Sequence, residues 1–163
     1  MSMTVGPDEV FFGLTVKDLL IAGGWLFTIF GWLVSNAQAN RREKRKEARA
    51  EVDACIKLLA ELVTKSRDYY GEAAANPQSK SRGSEIRFEL QRLIARVERL
   101  ERKHAQFDVT GACGELMDSI SGDPFESADR QALAADADLL LRIESAAHVL
   151  IEQLEDGFIK AFG

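Results

Sequence analysis

Four side chains in this sequence have the chemistry expected of ligands or nucleophiles, namely His104, His148, Cys55 and Cys113. They are scattered along the chain, and no His-x-x-His or Cys-x-x-Cys spacing brings two of them together, so we expect no metal site. The glycines around Cys113 lack the Lys-Ser/Thr of a phosphate-binding loop. His104 and Cys55 fall at apolar positions typical of packed interior residues. The sequence therefore predicts no catalytic residue, no cofactor and a non-enzymatic protein.

The overall charge argues against a nucleic-acid partner. The 163 residues include 26 acidic and 21 basic side chains, a formal net charge of −5, whereas nucleic-acid-binding domains carry a basic excess. The hydrophobic fraction of 46% is too high for a chain that is disordered over most of its length. We expect a folded protein whose partners are lipid or protein.

One apolar segment dominates the N-terminal region. No charged residue occurs from Leu19 to Asn40, and Leu19 to Val34 is almost wholly apolar. About 20 such residues are needed to cross roughly 30 Å of hydrocarbon, and Ser35 and Asn36 can extend the segment to the headgroups. A capping-box pattern at 15–18 marks its start. We predict a transmembrane helix over 15–40.

The charges on either side of this segment predict its orientation. The preceding flank carries Asp8, Glu9, Lys17 and Asp18, three acids against one base. The following flank is a basic cluster of six residues, Arg41, Arg42, Lys44, Arg45, Lys46 and Arg49, against two acids. Because cytoplasmic flanks are enriched in Lys and Arg, residues 1–14 are predicted to be a short extracytoplasmic tail. The C-terminal part is then cytoplasmic at a cell inner membrane, with the basic cluster at anionic headgroups.

A competing interpretation makes the same segment a signal peptide. Ala37-Gln38-Ala39 has the small-x-small form of a cleavage site, and cleavage after it would release an exported protein beginning at Asn40. The acidic N-terminal flank and the cations just after the site disfavour export.

Small residues recur along one stripe of the predicted span. Gly24, Thr28, Gly31 and Ser35 are spaced four, three and four residues apart, which places them on one helix face. Such a face allows two spanning helices to approach closely, so the stripe predicts self-association.

The remaining sequence predicts a helical module. The first helix is expected to continue through 41–70, followed by a polar linker at 71–83 and a helical bundle over 84–163 with helices near 84–107, 114–120 and 127–162. The helix near 84–107 carries the most regular seam, the set of apolar positions spaced alternately four and three apart. Its members are Ile86, Leu90, Leu93, Val97, Leu100, His104 and Phe107.

The fold class that follows is all-α. A single N-terminal transmembrane helix continues into a cytoplasmic antiparallel helical bundle, a coiled-coil-like module. We expect a single-pass protein that forms a homo-oligomer and presents this module to an unidentified cytoplasmic protein. The alternative is a membrane-disrupting effector or toxin, used in phage defence or encoded by a phage, that acts by oligomerising its transmembrane helix.

Overall fold

The computed structural model describes the backbone of residues 9–10 and 14–163, and the side chains from residue 20 onward. Most of the predicted extracytoplasmic tail at 1–14 lies outside the described residues. Two short strands, β1 (Glu9–Val10) and β2 (Leu14–Thr15), pair antiparallel, with Glu9 opposite Thr15. The rest is helical: α1 (Val16–Tyr70), α2 (Ser79–Lys103), α3 (Thr110–Ser121) and α4 (Asp138–Phe162).

The chain divides into two compact units, Met1–Lys44 and Arg45–Gly163. The first unit contains the strands and the apolar part of α1. The second unit contains the rest of α1 together with α2, α3 and α4, and it holds a hydrophobic core. Every helix of the second unit contributes to this core; its largest fully buried apolar side chains include Leu59 and Leu62 from α1, Leu93 and Leu100 from α2, Leu116 and Ile120 from α3, and Ile143, Leu150 and Leu154 from α4.

Ion pairs join α1 to α2 and α4 around this core. Lys65 Nζ lies 2.5 Å from Glu85 Oε1 and also contacts Glu89, while Glu51, nearer the start of the unit, pairs with Arg96 at 3.4 Å. Towards α4, Arg49 pairs with Glu155 at 2.6 Å, and Arg67 pairs with Glu144. Such partly exposed pairs each contribute less than about 1 kcal/mol, so the apolar core stabilises the unit and the charges mainly select which faces meet.

The start of α3 is held by a side chain from α2. One carboxylate oxygen of Glu101 accepts hydrogen bonds from the Val109 N–H at 2.9 Å and from the Thr110 hydroxyl at 3.0 Å. A carboxylate at a helix N-terminus satisfies an otherwise unpaired N–H and interacts favourably with the helix dipole. This cap explains why α3 begins at Thr110, earlier than the predicted start near 114.

The predicted helix over 127–162 is wrong in its first part, because α4 begins only at Asp138. Two backbone hydrogen bonds join the preceding segment to residues near the end of α1. Ala74 N donates to Arg130 O at 2.9 Å, and Leu133 N donates to Tyr70 O at 2.8 Å. Glu126, with a φ of 58°, is in the left-handed region that interrupts a helix. These tertiary hydrogen bonds replace the helical ones.

The helix predicted near 84–107 is displaced towards the N-terminus and spans Ser79–Lys103. Gly83 was assigned to the linker, yet it lies within α2, where an added Cβ would stand 3.5 Å from Tyr69 and 3.3 Å from Glu126. The glycine thus permits a close approach within the helix. At the other end, His104 has an extended backbone, so His104 and Phe107 follow the helix instead of belonging to it.

We predict that Gly157→Ala destabilises the second unit, whereas Gly114→Ala does not. An alanine Cβ at 157 would lie 2.6 Å from Cδ1 of the buried Phe107 ring, while nothing lies within 4 Å of a Cβ at 114, inside α3. Overpacking of this kind costs about 1–3 kcal/mol, and alanine is favoured over glycine in a helix by about 1 kcal/mol. Denaturant unfolding of the full chain in detergent, followed by circular dichroism, measures both changes. Equal changes in the free energy of unfolding for the two variants would contradict the close contact between Gly157 and Phe107.

Candidate functional site

The most unusual surface of the described chain is the apolar part of α1. Its large side chains are exposed throughout residues 20–34, including Trp25 at 66%, Phe27 at 81% and Phe30 at 67%. The longest apolar stretch reaches a mean hydropathy of 1.4, and none of it is buried. By length and composition this helix is able to cross a membrane, and its exposure distinguishes it from the core helix of a globular protein. Soluble monomers rarely expose so continuous an apolar patch.

The small-residue stripe lies on this exposed helix. No atom of the described residues comes within 4 Å of a Cβ placed on Gly24 or Gly31, so both glycines border open space. Thr28 Oγ1 donates to Gly24 O at 2.8 Å, which satisfies the hydroxyl within its own helix. The stripe therefore presents a smooth surface without an unsatisfied threonine hydroxyl, a surface suited to contact with another helix.

The basic cluster that follows is divided between two environments. Arg41, Arg42, Lys44, Arg45 and Lys46 are exposed, and within the described part of the chain none of them forms an ion pair. The guanidinium of Arg45 lies 6.0 Å from the centroid of Phe158, and exposed cations of this kind remain accessible to anionic groups. The five residues form the exposed part of the cluster.

Arg49 differs from the other members of the cluster. It donates two hydrogen bonds to Glu155, at 2.6 and 3.0 Å, and also pairs with Asp53 at 2.9 Å. The hydrogen bonds with Glu155 hold the pKa of Arg49 above its usual value. Its charge is thus paired within the second unit, and the predicted role of Arg49 at the membrane surface stays a prediction.

The apolar seam of α2 is covered by the chain's own helices. Ile86, Leu90, Leu93, Val97 and Leu100 are all buried in the core of the second unit. Phe107 is also buried, although it lies beyond the helix end, and His104 is half-buried with its ring centroid 5.2 Å from that of Phe162. The seam is therefore internal to one chain, and it leaves no apolar stripe on α2 for a second copy.

The thiols are placed to be unreactive. Cys55 is fully buried in the core. Cys113 is buried in α3, although the sequence predicts that this helix starts only near residue 114. Burial raises the pKa of each thiol to about 11, which opposes formation of the nucleophilic thiolate. Among the side chains that the structure describes, no three His, Cys, Asp or Glu residues gather into a possible metal site.

Arg130 is a buried cation that the sequence analysis did not identify. Its guanidinium carbon lies 3.6 Å from the ring centroid of Tyr69, which has its edge against the ring of Tyr70. Its Nη2 donates to Ser79 Oγ at 2.9 Å. Stacking of a guanidinium on an aromatic ring is favourable by about 2 kcal/mol when desolvated. Only the tertiary fold brings these distant residues together, so no local pattern marks the site.

Comparison with known proteins gives no relative: no protein family, no curated protein and no solved structure matches this chain. The assignment of function depends on the surfaces described above.

We predict that both thiols resist modification until the second unit unfolds. With Ellman's reagent near neutral pH, the native protein in detergent should react at the rate of global unfolding, and denatured protein should react at once at both sites. The same pKa shift makes the free energy of unfolding fall as pH rises from the ordinary thiol value of 9.0 towards about 11, because the unfolded chain loses protons that the folded chain retains. Cys55→Ala with Cys113→Ser serves as the control for this alkaline loss. Rapid labelling of the folded protein would contradict the prediction.

Proposed function

We propose that this protein is a non-enzymatic, single-pass membrane protein of the cell inner membrane that self-associates through its span and presents a cytoplasmic helical interaction module. The observation that carries the proposal is the exposed apolar surface of α1 over residues 20–34. Exposure of this surface to water would cost about 25 cal/mol of free energy per Å² of apolar area. In a bilayer the lipid chains contact the surface, and no protein is needed to bury it.

The charge distribution supports the proposed orientation. Lys17 and Asp18 offset each other just before the span, and the five exposed residues of the basic cluster follow it. Cations beside the span are retained on the cytoplasmic side, and each contributes about 1 kcal/mol of attraction to anionic lipid headgroups near the surface. Anionic headgroups are therefore the proposed lipid partner of the cluster.

The second unit fits the role of an antiparallel bundle. Early residues of α1 pair with late residues of its partners, as in Glu51 with Arg96 and Arg49 with Glu155. Later residues of α1 pair with earlier ones, as in Lys65 with Glu85. This reversed order is what antiparallel neighbours produce. The proposed partner of the module is a cytoplasmic protein that contacts the charged outer faces of these helices.

Self-association is assigned to the span. The seam of α2 is buried within one chain, whereas the stripe of Gly24, Thr28, Gly31 and Ser35 is open. Close packing of small residues is the means by which spanning helices associate without a hydrophobic drive. We therefore propose that copies of the protein meet along this stripe in the bilayer.

We predict that the double variant Phe27→Arg/Phe30→Arg is lost from alkali-washed membranes, whereas Phe88→Arg, a change of an equally exposed ring on α2, is retained. An arginine near the middle of a span costs about 2.5–3.5 kcal/mol on insertion scales. Immunoblotting of the washed membranes measures retention, and mass spectrometry of the retained wild type should give the full 18.1 kDa. A mature chain beginning at Asn40 would establish cleavage and overturn the single-pass assignment.

We predict that Gly24→Leu and Gly31→Leu convert the detergent-solubilised oligomer to monomer, whereas Gly23→Leu leaves it intact. Each new side chain enters open space in a single chain, so monomer stability should not differ. Gly23 lies about 100° around the helix from Gly24, which makes it a matched control. Light scattering with the micelle subtracted gives the mass. Wild-type protein that is monomeric at micromolar concentration would remove self-association from the proposal.

Induced expression in cells distinguishes the membrane-disrupting alternative from the interaction role. An interaction role predicts unchanged growth and membrane potential with the full-length chain and with a copy lacking residues 1–40. A loss of membrane potential that requires residues 1–40 would favour the effector role instead.

A further inference from the structure

The outer side of α2 carries cations that the rest of the chain leaves unpaired. Arg92 and Arg99 are exposed, and neither forms an ion pair with a residue that the structure describes. Phe88 is exposed one turn before Arg92, and Ala95 is exposed between the two arginines. The spacing of four, three and four residues places all of them on one side of the helix. We call Phe88, Arg92, Ala95 and Arg99 the basic face.

The acidic side chains of α2 do not neutralise this face, because each is already engaged within the chain. Their partners are as follows: Glu85 and Glu89 contact Lys65, Glu98 pairs with Arg102, and Glu101 caps α3. The basic face therefore has positive charge available for an acidic partner.

The outer side of α4 carries the opposite charge. Glu152 and Asp156 are exposed; Glu152 pairs with the exposed His148 one turn earlier, and Asp156 forms no ion pair within the described ranges. The bases of α4, Arg142 and Lys160, both lie about 80° around the helix from Glu152. We call His148, Glu152 and Asp156 the acidic face.

Ion pairs with α1 show that α2 and α4 run in the same direction and how far along the bundle each position lies. Glu51 pairs with Arg96 of α2, and Arg49, two residues earlier, pairs with Glu155 of α4. Both helices run antiparallel to α1, so position 98 of α2 lies at about the height of position 155 of α4.

The two faces match when heights are counted from these pairs. Arg99 lies at the height of Asp156, and Glu152 lies between the heights of Arg92 and Arg99. Both faces are exposed, so they do not cover each other within one chain. A second copy placed alongside, in the same direction and at the same height, presents its acidic face to the basic face.

We propose that the basic face of α2 in one copy packs against the acidic face of α4 in the next, with Arg99 towards Asp156 and Arg92 towards Glu152. Complementary charge of this kind fixes the register of an interface. Because the contact joins two different faces, it is repeated head to tail from copy to copy and closes into a ring when the rotation between copies allows.

This contact rests on the proposed function, because insertion in one membrane gives all copies the same direction. Exposed ion pairs are individually weak. Copies that are already joined along their spans meet at a high effective concentration, however, and a weak second contact then adds to the first. The exposed sides of α1 and α3 remain for the proposed cytoplasmic partner.

Charge reversal on either face tests the contact in the full chain. The basic-face variant is Arg92→Glu/Arg99→Glu, and the acidic-face variant is Glu152→Arg/Asp156→Arg. Light scattering over a dilution series in dodecyl maltoside, with the micelle subtracted, gives the concentration at which half of the oligomer dissociates. A buffer of low ionic strength leaves the charges unscreened. We expect this concentration to rise about tenfold for each variant, the change that two exposed ion pairs account for.

A chain with all four substitutions supplies the rescue. Every contact between copies then places Glu on α2 opposite Arg on α4, so the half-dissociation concentration should return to that of the wild type. Effects confined to one chain should add instead, because the two faces do not meet within it. Additive losses would overturn the proposal, as would wild-type behaviour of both single-face variants.

A matched control reverses the same number of charges elsewhere. Lys57 and Lys80 are exposed, and neither forms an ion pair in the described part of the chain. Lys57→Glu/Lys80→Glu changes the net charge as much as the basic-face variant does, and it should dissociate like the wild type. An equal rise for this control would mean that overall charge governs association, which overturns a specific contact.

The variant Gly24→Leu/Gly31→Leu separates this contact from association of the spans. If it dissociates while both single-face variants behave like the wild type, span association stands and the head-to-tail contact is overturned. If the single-face variants dissociate and it does not, the head-to-tail contact stands and the span is removed from self-association. Wild-type protein that is monomeric at every concentration would overturn both.

Discussion

The contact between Arg130 and Tyr69 lies at the end of the bundle where the connection from α1 to α2 meets the segment before α4. The guanidinium lies on the ring at 3.6 Å, bonds to Ser79 at the start of α2, and bonds to the Glu72 carbonyl just after α1. The backbone of the same residue accepts a hydrogen bond from Ala74. One side chain thus connects the end of α1, the start of α2 and the segment before α4. Because a buried charge must be compensated by favourable contacts, this region tolerates few alternative arrangements.

The two units differ in whether their apolar side chains are buried within the chain. In the second unit the apolar stripes of the helices cover one another, and the seam of α2 is consumed within a single chain. In the first unit the apolar side chains of α1 have no cover among the described residues. The proposed functions follow this division, since a surface that the chain itself does not cover is available to a bilayer or to another copy. The buried thiols and the paired Arg49 belong to the structure of the second unit.

Periodicity predicted the elements better than their ends. The existence of four helical regions and the burial of Ile86, Leu90, Leu93, Val97 and Leu100 follow from apolar spacing, which depends only on neighbours along one helix. The errors occurred where distant groups compete for the backbone. The polar composition of residues 71–83 indicated a linker that includes Gly83, yet Gly83 lies within α2, where the close approach of Tyr69 favours glycine. Residues 127–137 have helical spacing, but Leu133 bonds to Tyr70 and Arg130 bonds to Ala74 through the backbone instead of within a helix.

The sequence by itself determined the helical character, the exposed apolar segment and its basic flank, because composition and spacing over short stretches set these features. Only the tertiary structure decided which charges are available and which are already paired. Arg49 and Arg45 are both arginines of one basic run, yet only Arg49 meets Glu155, 106 residues away. Arg130, Ser79 and Tyr69 converge in the same way, since contacts between residues so far apart depend on how the helices pack and leave no signal in local sequence.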